Sequence, residues 1–198
     1  MQEYVNSIMI NSYPTAYIDI LKATEDSGFT MASDPITGSL LRSLAASKPG
    51  GKFLELGTGT GLSTSWILDG MDEQSLLTSV DFDPGVMNIA KSFLGDDPRL
   101  VLELKDGSEW VLSNASQRYD YIFADTWHGK YILLDEVLDM LLPGGFYIVD
   151  DMLPQSNWPE GHDEKAGKLR HELSNREDLL FTELEWATGV MIGVKLGK

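Results

Sequence analysis

One stretch restricts this chain more than any other. Phe53-Leu54-Glu55-Leu56-Gly57-Thr58-Gly59-Thr60-Gly61-Leu62-Ser63 is an apolar run of strand length that passes through three glycines into helix-like sequence. Glycine is required where the backbone bends sharply and must come close to a ligand, because a Cβ there would occupy the ligand's space. Asp81 stands twenty residues beyond Gly61, at the end of the next expected strand. A carboxylate placed there can accept hydrogen bonds from both hydroxyls of a ribose. Strand, glycine loop and second strand-end acid together indicate a ribose-bearing ligand; the alternative is that residues 57–61 form only a tight turn.

Two details choose among ribose ligands. A dinucleotide fingerprint sets its third glycine two intervening residues after the second, but Leu62 holds that place and Gly61 comes one residue early. An NAD(P) oxidoreductase therefore fits less well. Glu55, two residues before the first glycine, is an acid at a strand's carboxyl end and suits a ligand with a cationic amine. S-adenosylmethionine (SAM) carries such an amine and a sulfonium.

Apolar runs of strand length alternate with helix-like segments from Lys52 onward, which favours a parallel sheet with crossover helices. Strands are expected over 52–56, 76–81, 99–104, 119–125 and 146–150, followed by an antiparallel pair over 179–186 and 190–195 joined through Ala187-Thr188-Gly189. Helices are expected over 15–26, 35–46 behind a Ser33-Asp34 cap, 62–70, 84–94 with Asp83 as cap, 130–142 and 162–174. A long loop over 152–161 contains Pro154, Asn157, Trp158 and Pro159.

Composition closes off other classes. The chain has 198 residues, which is about one domain's worth. Fifteen Lys and Arg against thirty-one Asp and Glu give a net charge of −16, and no basic run offsets it, so phosphate backbones and anionic membranes are poor partners. With no Cys, thiolate nucleophiles and Cys-ligated metal sites are excluded. The start Met followed by Gln2-Glu3-Tyr4, without a basic segment or long apolar run, points away from a signal peptide or membrane span and toward the cytoplasm.

The chain resembles the class I SAM-dependent methyltransferases, and more closely the small O-methyltransferases of the catechol and caffeoyl-CoA type. The resemblance rests on Met31-Ala32-Ser33-Asp34, the 55–63 stretch, Ser79-Val80-Asp81-Phe82-Asp83-Pro84, Asp106-Gly107-Ser108-Glu109, Phe123-Ala124-Asp125-Thr126-Trp127-His128 and Val149-Asp150-Asp151-Met152. It implies an α/β, Rossmann-like, doubly wound seven-stranded sheet of order 3-2-1-4-5-7-6 with the last strand antiparallel. One domain would span 1–198, with N-terminal helices over 1–50 able to act as a lid and the core over 51–198. By the same resemblance Glu55 and the backbone of Gly57, Thr58 and Gly59 hold the methionine moiety, Ser63 its carboxylate, and Asp81 the ribose. Met31 and Ser33 line the methionine end, Phe82 and Gly107 belong to the cofactor-binding set, Ser108 meets the adenine amine beside Glu109, and Trp127 packs on the adenine. Plain core filling is the alternative for Trp127.

Asp125, Asp150 and Asp151 fall at the carboxyl ends of neighbouring expected strands, the edge where open α/β sheets bind ligands. Three acids there repel one another unless a divalent cation, an ammonium or raised pKa values relieve them. In metal-dependent relatives the matching positions bind Mg²⁺; here Asp151 replaces an Asn, which keeps an oxygen ligand and widens the choice to Ca²⁺ or Mn²⁺. The competing readings are contact of Asp125 with the cofactor's amine and capping of the next loop by Asp150 and Asp151. Where relatives place a lysine base, this chain has His128, with Lys130 two residues on. His128, Asp125 and Lys130 are thus the catalytic candidates, against a reading of His128 as an ordinary helix-start residue and Lys130 as a solvated one. His162 and His171 receive no role. Trp158 and Asn157, with Tyr4, Tyr13 and Tyr17, could cover a small-molecule acceptor or form homodimer contacts. A non-catalytic SAM-binding module is a further alternative.

Overall fold

The computed structural model describes residues 10–155 and 158–197. Lys52–Leu56 forms β1, buried beyond its first residue as befits a strand covered on both faces. Around it lie β2 (Leu76–Asp81), β3 (Leu100–Leu104), β4 (Tyr119–Ala124), β5 (Leu141–Val149), β6 (Leu179–Leu184) and β7 (Val190–Lys195). Their order is β3-β2-β1-β4-β5-β7-β6. Strands β1 to β5 run parallel, while β7 is antiparallel to both β5 and β6. Chain direction along the sheet reverses between β1 and β4, the crevice where such sheets bind ligands.

Alternate residues of each strand feed opposite cores. Phe53, Leu77, Tyr121, Phe123 and Ile148 meet α1 (Tyr17–Ser27), α2 (Pro35–Ala46) and α3 (Leu62–Gly70) on one face. On the other, Leu54, Leu56, Ile122, Tyr147 and Val149 share a core with Trp110, Val137, Leu138, Leu169 and Leu173. Those residues lie on α5 (Gly107–Ser113), α6 (Leu134–Asp139) and α7 (His162–Ser174). Helix α4 (Pro84–Leu94) starts at an Asp83 cap whose carboxylate accepts from the Gly85 N–H, and α2 starts at Asp34, which accepts from Ile36.

Three expectations need correction. The helix expected over 130–142 is only α6, because Leu133 sits at φ +57° and starts the helix late, and the chain is already strand at Leu141. The strand expected over 146–150 is β5 from Leu141, with an irregularity at Pro143-Gly144-Gly145, where Leu141 pairs Tyr119 but Phe146 pairs Tyr121. Helix α5 was not expected, although Asp106 caps it by accepting from the Ser108 and Glu109 N–H groups. Tyr4 and Asn157 lie outside the described residues.

Gly57 tests the backbone argument directly. Its φ is +105°, and a Cβ there would lie 2.7 Å from the Asp125 carbonyl oxygen. Gly144, at φ +80°, has nothing within 4 Å of its would-be Cβ. Both alanine variants carry the left-handed penalty, but only Gly57→Ala also forces β1 and β4 apart. Urea unfolding should show Gly57→Ala losing about 1–3 kcal/mol more than Gly144→Ala; equal losses would mean the loop has room that the structure denies it.

Candidate functional site

The glycine loop is pinned from three sides. Gly57 N–H donates to the Val80 carbonyl at 2.9 Å, and Gly59 N–H donates to Asp81 Oδ2 at 2.8 Å. Glu55 lies underneath, fully buried, accepting from Ser63 Oγ at 2.7 Å, Thr64 Oγ1 at 2.6 Å and Ser79 Oγ at 2.5 Å. Burial pushes its carboxyl up to about 7, against the pull of those three hydroxyls. Glu55 was expected at the ligand. It does not line the cavity and instead ties the end of β1 to α3 and β2.

The cavity above the loop measures about 550 Å³. That size suits a nucleoside-sized ligand with room beside it. Met31, Ser33, Gly57, Thr58, Gly59 and Ser63 line it, as do Asp81, Phe82 and Gly107. So do Asp125, Trp127, His128, Lys130, Asp150 and Asp151, whereas Ser108 and Glu109 do not. Tyr13 and Tyr17 are also absent from its walls; they pack against each other and Trp66, with centroids 4.9 to 5.6 Å apart. The segment that does cover this end is the 29–33 turn before α2.

Of the three carboxylates, Asp125 meets a lysine. Lys130 is buried with its Nζ 3.7 Å from Asp125 Oδ1, while Ser33 Oγ donates to Asp125 Oδ2 at 3.0 Å. Asp150 Oδ1 accepts from Thr188 Oγ1 at 2.8 Å and from the Asp151 N–H at 2.9 Å. Burial, then its two acidic neighbours, push Asp150 up to about 7; burial raises Asp125 too, opposed chiefly by Lys130. Among the described residues no group of three His, Cys, Asp or Glu is spaced to hold a metal ion. Of the carboxylates expected around a divalent cation, Asp125 meets Lys130 and the Ser33 hydroxyl, and Asp150 meets the Thr188 hydroxyl and a backbone N–H.

The two candidates after β4 have separated. His128 turns to the β3–α5 corner, its Nε2 3.7 Å from Asp106 Oδ2 and its ring against Gly107, where a Cβ would fall 2.6 Å away. Lys130, expected in solvent under the bland reading, is the one beside Asp125. Trp127, expected at the adenine, lines the cavity and also contacts Tyr131 and His162, with centroids 5.6 and 5.8 Å away, and carries Lys165 Nζ 4.3 Å from its ring centroid. Tyr147 on β5 donates to the Gly129 carbonyl and fixes this loop.

Tyr131, His162, Gln155 and Trp158 line the cavity near the carboxylates. Only Trp158 was foreseen among them. His162 is the first residue of α7, distant in sequence from every motif, so no spacing links it to the site.

The fold and cavity define a Rossmann-like α/β domain with its ligand site at the carboxyl edge of the sheet. Residues 54–152, half of the chain, match the family profile of a methyltransferase domain, and the chain belongs to that family. A Mycobacterium avium relative bearing a provisional O-methyltransferase name is 31% identical over 125 residues, covering 60% of this chain and 55% of the relative. One from Mycobacterium marinum is 33% identical over 113 residues, with 54% and 50% covered. The chain spans about half the length of the curated relatives it matches. Among solved structures, the Bacillus cereus O-methyltransferase in complex with SAH superposes with a TM-score of 0.83 at 16% identity over 98% of this chain and 96% of that one. A Streptomyces achromogenes O-methyltransferase in complex with SAM gives 0.81 at 18% identity, over 98% and 95%. At those identities the likeness is one of fold.

The buried Glu55 makes a pH prediction. Its carboxyl binds a proton more tightly folded, at about 7, than its ordinary 4.5. Its contribution to stability is therefore greatest below the ordinary value and is lost as pH rises through 7, an effect of about 3 kcal/mol for a shift of this size. Thermal melts should show wild type losing stability from pH 5 to 8 more steeply than Glu55→Gln. Parallel profiles would mean that Glu55 ionises freely.

Proposed function

We propose that this domain moves a methyl group from SAM to a hydroxyl oxygen of a small-molecule acceptor. The observation that carries the reading is the hydrogen bond from the Gly59 N–H to Asp81 Oδ2, 2.8 Å long, which puts the glycine loop and the strand-end acid on one wall of one cavity. The group fits the residues present: the backbone of Gly57, Thr58 and Gly59 lines the cavity, and Asp81 offers carboxylate oxygen on the same wall. When bound, SAM supplies an electrophilic methyl on a sulfonium.

The chain's own part is alignment. Gly57, Thr58, Gly59 and Ser63, with Met31 and Ser33 across the cavity, hold the methionine end. Asp81 takes the ribose, and Phe82, Gly107, Trp127 and His128 flank the adenine. Glu55 holds the loop's shape from below. At the reacting end, Lys130 is an ammonium fixed by Asp125, where it stabilises negative charge growing on the acceptor oxygen.

A small acceptor suits the charge of −16, which repels nucleic acid. Among the described residues no helix is long and apolar enough to cross a membrane.

Calorimetry separates this reading from its rivals. Wild type should bind S-adenosylhomocysteine and not NADH, and Asp81→Ala should weaken that binding by about tenfold or more, the loss of a charged hydrogen-bond acceptor. NADH binding without S-adenosylhomocysteine binding would overturn the proposal in favour of an oxidoreductase. Lys130→Met should keep S-adenosylhomocysteine affinity within about threefold while turnover falls about a hundredfold. Binding of SAM with no S-adenosylhomocysteine released across a broad acceptor panel would reduce the domain to a cofactor-binding module.

A further inference from the structure

Tyr131 and His162 come from different elements, one in the loop after β4 and the other at the start of α7, yet meet at the acceptor end of the cavity. Tyr131 Oη lies 3.3 Å from His162 Nε2. The rings stand nearly perpendicular, 85° apart, with centroids 5.5 Å apart. Trp127 closes one side of the pair, and Trp158 covers His162 with centroids 4.5 Å apart. All four side chains line the cavity that also holds Lys130, Asp150 and Asp151. His162 Nδ1 is buried and has no hydrogen-bond partner among the described residues, so Nε2 is the nitrogen through which the ring can act.

The geometry points to a proton relay in which Tyr131 Oη takes the proton of a phenolic acceptor while passing its own to His162 Nε2. This rests on the methyl-transfer reading and adds to it the proton's destination and the acceptor's class. The step balances without a further reactant. The acceptor O–H and the Tyr131 O–H break, a new Tyr131 O–H and a His162 Nε2–H form, and the electron pair left on the acceptor oxygen is the one that attacks the methyl carbon. The acceptor becomes a methyl ether and the ring becomes an imidazolium. Two aromatic walls favour a planar ring beside the hydroxyl.

Charge supports the arrangement. Burial, with Lys130 and Lys165 nearby, lowers the His162 pKa, while Asp151 and Asp163 partly offset them. The ring is therefore neutral, and able to accept, at neutral pH. Tyr131 is held protonated by burial and by Asp151, which suits a residue that hands on one proton as it takes another rather than ionising alone. Lys130 points its Nζ to Asp125 Oδ1, 3.7 Å away.

4-Nitrophenol, whose absorbance reports its ionisation, tests the relay without turnover. With the protein saturated by S-adenosylhomocysteine, the bound probe should ionise at a pH at least one unit below that of the free probe. Tyr131→Phe and His162→Gln should each abolish that shift while leaving S-adenosylhomocysteine affinity within about twofold, since neither is among the residues assigned to the cofactor. Phe keeps the ring's packing, so a merely structural Tyr131 would leave the shift in place. Retention of the shift in either variant, or its absence in wild type that demonstrably binds S-adenosylhomocysteine, overturns the relay. Failure of wild type to bind S-adenosylhomocysteine at all would instead bring down the methyl-transfer reading beneath it.

Discussion

The structure depends on a buried carboxylate that never meets the ligand cavity. Glu55 collects three hydroxyl donors from α3 and β2, and in doing so fixes where β1 stops and the glycine loop begins. An unpaired buried acid would be costly, and three hydrogen bonds offset part of that cost. The remainder shows in its raised proton affinity. The loop above inherits the precision of this anchor: Gly57 is pressed against the β4 end, Gly59 against Asp81, and the cavity floor has little freedom to vary.

Electrostatics divide the cavity into two unlike ends. Asp81 takes backbone N–H groups from Gly59 and Asp83 and stays part-exposed. Asp150 is buried and Asp125 part-buried, and both are raised, with Lys130 as the cation nearest Asp125. Removing either Lys130 or Asp125 would leave the other as an uncompensated buried charge, which is far worse than removing both. The same reasoning accounts for the seat of Lys130 deep in the cavity in a chain so short of basic residues.

The sheet was legible because its signals are local. Strand-length apolar runs, the Asp83-Pro84 and Asp34-Pro35 starts and the glycine loop each declare themselves within a few residues, and the strand order followed from the resemblance. Side-chain direction was not legible. Glu55 reads as a strand-end acid, but the pleat and the hydroxyls at Ser63, Thr64 and Ser79 turn it inward. His128 and Trp127 are adjacent, and nothing in their order says that one goes to Gly107 and the other to Tyr131. Leu133 in a left-handed conformation removed a helical turn that its apolar spacing suggested, since tertiary packing overrides local preference. Asp106 did announce α5, through an acid followed three residues later by Glu109; that capping pattern was present and went unused.

The reversal of β7 against β5 has a consequence for how the protein comes into being. Met152 and Leu153 donate their N–H groups to the Gly189 and Thr188 carbonyls, and Thr188 also holds Asp150. The wall beyond β5 is thus clasped by the turn that leads into the final strand. During synthesis, the first five strands can emerge and pair while that clasp is still inside the ribosome. A nascent chain stalled before residue 188 would own its glycine loop and its strand-end acid, yet leave the opposite wall unfastened. Competence to enclose a guest thus arrives only once the 187–189 turn has been made and β7 has paired with β5.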